Sequence, residues 1–95
     1  MLKTQPFDPA ELIDGPESEA LILADAFETG DAGYIAHALG VIARARGISE
    51  MARRAGISRP TLYAAISGDG DPKLSTLLSL LRALDVKVSV EPRVA

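Results

Sequence analysis

Residues 47–67 read GISEMARRAGISRPTLYAAIS, and their spacing decides the fold. Met51, Ala52 and Ala55 share one side of a short helix that Ser49 is placed to cap and Gly56 to end. Ile57 follows as a plug for the corner. Ser58 is placed to cap a second short helix, with its hydroxyl accepting the Thr61 amide hydrogen. Pro60 then falls in the first turn, where a missing N–H costs nothing. Leu62 and Ile66, four apart, turn this helix inward. Two short helices around a glycine-containing turn form the helix-turn-helix arrangement.

That arrangement leaves Ser58, Arg59, Thr61, Tyr63 and Ser67 for the helix start and outer face, where a recognition helix meets base edges and phosphates. Arg53 and Arg54, with Arg44 and Arg46 upstream, are placed to reach the phosphate backbone on either side. Each feature alone has a blander reading. Arginine is favoured at any helix C-terminus by the macrodipole, and Tyr63 would serve as a rim packing residue. Together, a small residue, a glycine four later, an apolar residue, a capping serine, then Leu and Ile at helical spacing point to DNA binding.

Upstream, Asp31 is a cap for the helix AGYIAHALGVIARARG, with Ile35, Leu39 and Ile42 facing inward and Gly47 as its stop. Gly40 inside it costs about 1 kcal/mol against Ala, a cost that tight packing would justify. His37, the lone histidine, reads as surface rather than chemistry. Before that, Asp14-Gly15-Pro16 turns into the helix ESEALILADAFETG, with Glu17 and Glu19 at its positive end. Leu21, Ala24 and Phe27 form its expected inward stripe, widened by Ile22, and Gly30 ends it. Residues 1–16 hold three Pro and one Gly and are expected to form an extended arm, with Phe7, Leu12 and Ile13 against the body.

Downstream, residues 68–73, GDGDPK, form a loop whose two carboxylates fall short of a calcium-binding string. Ser75 is expected to cap TLLSLLRAL, where Leu77, Leu81 and Leu84 make one strip and Leu78 and Leu80 broaden it. After Asp85 the period changes: Val86, Val88 and Val90 alternate with Lys87, Ser89 and Glu91, which predicts a β-strand over residues 85–91. A single strand cannot satisfy its own ladder. Pairing with a second copy or another protein's sheet edge is expected, with the N-terminal arm as the alternative. The expected fold is therefore all-α, a five-helix lambda-repressor-like helix-turn-helix domain over residues 17–84 with a short C-terminal β-strand.

Composition narrows the function classes. With 95 residues, 47% of them hydrophobic, the chain has the size and make-up of one small globular domain. Two Phe, two Tyr and no Trp leave the core to Leu, Ile, Val and Ala. Zero Cys excludes disulfides, thiolate metal sites and thiol catalysis, and one His excludes a His-rich metal site. Ser58 has no identifiable base to activate it, so an enzyme is not expected, and neither is a cofactor or a metal. No apolar run approaches the ~20 residues that span a bilayer, and MLKTQPFD lacks a signal-peptide pattern, so a cytoplasmic location is the expectation. The net charge of −3 hides an asymmetry: residues 1–43 sum to −7 and residues 44–95 to +4. The second half is basic enough to face a polyanion, while the first half would face a basic protein or keep the chain in solution.

FDPAELID near the start, AFETGD running into IAHALGVIARARGIS, and MARRAGISRPTLYAAISGDGDPKLSTLLSLLRALDVKVSV together resemble the probable addiction-module antidote proteins. These are the HigA-like antitoxins of bacterial type II toxin–antitoxin modules. The Cro/C1-type repressor superfamily shares the small–x–x–x–Gly–Ile–Ser core, usually with a longer first motif helix. The resemblance implies that Ser58, Arg59, Thr61 and Tyr63 face DNA and that Ala52, Gly56, Ile57 and Leu62 form the motif's core. Pro60 departs from the polar residue common at its position. The resemblance further implies a homodimer that binds double-stranded operator DNA at its own promoter and neutralises a small basic RelE/ParE-like toxin. A simple dimeric repressor without a toxin, and an interaction protein whose motif no longer binds DNA, remain open as alternatives from the residues alone.

Overall fold

A computed structural model describes residues 15–94, and the expected N-terminal arm lies outside the described residues except for Gly15 and Pro16. Five helices follow in order: α1 (Pro16–Thr29), α2 (Ala32–Arg46), α3 (Ile48–Ala55), α4 (Arg59–Ile66) and α5 (Leu74–Ala83). α1 packs on α2, α4 and α3 on α2's remaining faces, and α5 closes over α3. The interior is aliphatic, as a chain poor in aromatics requires. Ile42, Met51, Leu62, Leu80 and Leu84 are its largest fully buried side chains, and Ala26, Ala43, Ala52 and Ala65 let the helices approach closely. Phe27, Tyr34 and Tyr63 all remain on the surface.

Local chemistry explains most helix ends. Asp31 accepts the Gly33 amide hydrogen at 3.1 Å and starts α2. Ser58 accepts the Thr61 amide hydrogen at 3.1 Å and starts α4, with Pro60 in the first turn. Two expected caps are corrected. α3 starts at Ile48 with Gly47 as its cap residue, and Ser49 makes no cap bond. The single residue Gly47 joins the last turn of α2 to the first of α3, since its N–H donates to Ala43 and its carbonyl accepts from Met51. Ser49 is thus already inside the helix. Likewise α5 starts at Leu74, directly after Pro72 and Lys73, and Ser75 lies within the helix rather than at its cap.

The inward face of α1 is also corrected. Leu21, Ala24 and Phe27 are exposed, and the buried row is Glu19, Leu23 and Ala26 with Ile22 half-buried beside it. Small Ala26 lets α1 lie close on α2. The buried Glu19 is tolerated because a partner 27 residues away meets it.

No β-strand is present among the described residues, which overturns the expected strand over 85–91. α5 instead ends in a six-residue turn: Asp85 takes a left-handed φ of 61°, and the Val86 N–H donates to the Leu81 carbonyl at 3.0 Å. That bond folds Val86 back onto the core. The alternation beyond it pairs with no strand among the described residues, and Val88 and Val90 stand exposed rather than half-buried.

Candidate nucleic-acid interface

The candidate interface is built on the α3–α4 corner. Gly56, with φ 71°, turns the chain where a side chain would be strained. The Ile57 N–H donates back to the Ala52 carbonyl at 3.0 Å and closes the turn. Met51 and Ala52 on α3 and Leu62, Ala65 and Ile66 on α4 are buried, so the two helices share one core side. Gly40 of α2 lies beneath α4, where an added Cβ would sit 3.5 Å from the Ile66 Cβ.

The outer side of α4 then presents Arg59, Pro60, Thr61 and Tyr63, all exposed. Tyr63 keeps 46% of its surface accessible although nothing else on that face is aromatic. The Ser58 hydroxyl donates to Thr61 Oγ1 at 2.8 Å while accepting the Thr61 N–H. Thr61 is thereby held in one rotamer with its own hydroxyl hydrogen left to donate outward. Ser67 sits at the other end, half-buried, donating to the Ala64 carbonyl at 3.2 Å and to Asp69 Oδ1 at 3.1 Å. Its hydroxyl is engaged in closing the helix.

The arginines differ from one another. Arg54 is exposed on α3. Arg53 is exposed but bound to Glu50 one turn back, its Nε donating to Oε1 at 3.1 Å. That hydrogen bond holds the Glu50 carboxyl below its ordinary pKa and raises Arg53 above its own. Arg46 is half-buried and paired within the fold. Its guanidinium donates two hydrogen bonds of 2.7 Å to the two carboxylate oxygens of buried Glu19, tying the end of α2 to the start of α1. The bond to Glu19 outweighs desolvation and raises the Arg46 pKa. The structure thus brings Arg53, Arg54, Arg59, Thr61 and Tyr63 to the α3–α4 surface, and pairs Arg46 with Glu19 of α1.

Lys73 was not among the expected contacts. It is exposed at the start of α5 and lines a groove with Thr61 and Ala64 of α4. Its place at the end of the GDGDPK loop is the available signal, because a loop that brings the chain back beside α4 sets its last cation there. That loop is tight: a Cβ on Gly70 would lie 2.5 Å from the Ala64 carbonyl oxygen and 2.9 Å from that of Ala65. Among the described residues no group of His, Cys, Asp and Glu is arranged to hold a metal ion, and no helix is long and apolar enough to cross a membrane.

A family model described as "Probable addiction module antidote protein" matches residues 3–92. An uncharacterized protein of Haemophilus influenzae is 41% identical over 85 residues, which cover 90% of this chain and 88% of that relative. No solved structure matches the chain.

Proposed function

This chain belongs to the probable addiction module antidote family, and from that premise we propose that it represses its own promoter and neutralises a RelE/ParE-like toxin by direct binding. The family's role is regulatory and non-catalytic. One observation carries the DNA half: Arg59, Thr61 and Tyr63 stand exposed on a short, Ser58-capped helix whose other side is locked into the core. In this reading α4 enters the major groove, Arg59 reaches a base edge, and Arg53, Arg54 and Lys73 meet phosphates alongside. Two copies meet half-sites about 34–36 Å apart, one helical turn. Leu74 and Leu78, exposed one turn apart on α5, support that helix as a contact between copies. The antidote half draws on charge, since the −7 of residues 1–43 suits a basic protein.

Fluorescence anisotropy tests the DNA half, with duplexes tiled across the region upstream of the gene and a scrambled duplex, each at two salt concentrations. Arg59→Ala is expected to weaken the specific duplex by about 1–3 kcal/mol while changing the scrambled one little. Equal losses on both would reassign Arg59 to phosphate. Absence of salt-dependent binding to every duplex would overturn the repressor reading.

A further inference from the structure

A largely apolar groove of about 410 Å³ runs between α1 and α2, lined by Leu21, Ile22, Tyr34, His37, Ala38 and Val41 with Asp25 at its edge. Leu21 is 73% exposed and Tyr34 43%. A single exposed leucine needs no explanation, but one beside an open aromatic and a groove forms a patch that marks an interaction site. The neighbours of Leu21 on the outer face of α1 are acids. Glu17 precedes it by four residues, and Asp25 and Glu28 follow by four and seven, all exposed. From Gly15 to Ala43 the chain contains no Lys or Arg.

That charge pattern selects the occupant. A second copy docked here across a two-fold axis would set Glu17, Asp25 and Glu28 against the same residues of its twin, with three acids on each side and only His37 of each copy, and no Lys or Arg of α1 or the start of α2, to offset them. A protein that inserts an apolar side chain between flanking Lys or Arg residues meets both features at once. We infer that the α1–α2 groove is the docking site for such a basic, apolar-tipped segment of the toxin. The inference rests on the antidote reading above and locates its surface away from the α3–α4 corner.

The test uses the full chain and, as probe, the product of the gene adjacent to its own, co-expressed and then measured by isothermal titration calorimetry. Leu21→Lys and Asp25→Lys change exposed side chains, and circular dichroism checks that both variants fold. Each is expected to weaken the complex at least 30-fold, with wild-type affinity falling as salt rises, while affinity for upstream DNA stays within two-fold. A wild-type complex that both variants leave intact overturns the groove assignment and spares the antidote reading. No complex with wild type overturns both. Sedimentation of the free chain covers self-association: a wild-type dimer that Leu21→Lys converts to monomer gives the groove to a second copy and overturns the inference. Amide shifts in residues 1–14 on the same substitution, without partner, give it to the chain's own N-terminus and overturn it too.

Discussion

Removing the Arg46 head group should destabilise this protein far more than removing the acid it binds. Glu19 has a side chain only 3% exposed, whereas that of Arg46 is 24% exposed. Arg46→Met leaves a carboxylate buried with neither of its 2.7 Å partners, which places the cost near 3 kcal/mol, the lower end for breaking a buried pair. Glu19→Leu instead leaves a long cation near the surface whose head can turn to water, so about 1 kcal/mol is expected. The Glu19→Leu/Arg46→Met double variant has no charge to strand and should fall within about 1 kcal/mol of wild type. Urea titrations followed by circular dichroism measure all four proteins, provided the m-value stays constant. Arg46→Met should lower the melting temperature by roughly 12–24 °C at ~4–8 °C per kcal/mol, so its titration belongs at low temperature. Equal costs for the two single variants, or a double variant that costs their sum, would refute the reasoning. DNA binding supplies a second check. A bound Arg46 releases no counterion, so the salt slope of the double variant should match wild type, whereas a phosphate contact would lower it by about 0.9.

Two glycines should respond to alanine with opposite signs. Gly40→Ala adds a Cβ at ordinary contact with Ile66 and displaces only the mobile end of Arg44, so the helix should gain about 0.5–1 kcal/mol. Gly70→Ala drives a Cβ into the carbonyl oxygens of Ala64, Ala65 and Ser67 and should cost about 1–3 kcal/mol. Thermal melts of the pair decide both. Ser58→Ala removes the cap of α4 and the anchor of Thr61, so a loss of about 1 kcal/mol in urea is expected, with Ser58→Gly milder. Glu50→Gln frees Arg53, and affinity for any DNA should rise with a salt slope steeper by about 1. Because Glu50 is depressed in the fold, its pair contributes fully at neutral pH and fades as pH falls from the ordinary carboxylate range through the lowered value. Glu50→Gln should abolish that fraction of the acid response in binding titrations.

The helix-turn-helix was legible because every element of it is local. Ser58 caps α4 through a bond three residues long, Gly56 turns a corner within five, and Leu62 with Ile66 mark one face by spacing alone. Asp31 and the ends of α1 and α2 belong to the same class. In each case the competing conformations differ in interactions that neighbours on the chain decide. The exposed row Arg59, Thr61 and Tyr63 follows directly, since the face opposite Leu62 and Ile66 has nowhere else to go.

What escaped has a common cause in distance along the chain. The i, i+3, i+6 spacing in α1 suggested Leu21, Ala24 and Phe27 as its inward row, yet the helix is turned to bury Leu23 and Ala26 and to set Glu19 against Arg46. No window inside α1 contains that arginine, so the acid read as a first-turn charge and Arg46 as a free cation for phosphate. The single ion pair links the two residues: once Glu19 is buried, Leu21 faces outward and Arg46 is engaged with α1. The absent strand fails for the converse reason. Alternating valines state which faces a strand would have, but a strand exists only where another backbone completes its ladder. Within one chain the Leu81 carbonyl captures the Val86 N–H first, and the chain leaves the core one residue into the pattern. Periodicity therefore located helices that cap themselves and misjudged faces that depend on a partner. The exposed Leu21 is the residue where that dependence passes from the fold to the surface, which is why it anchors the docking test rather than the core.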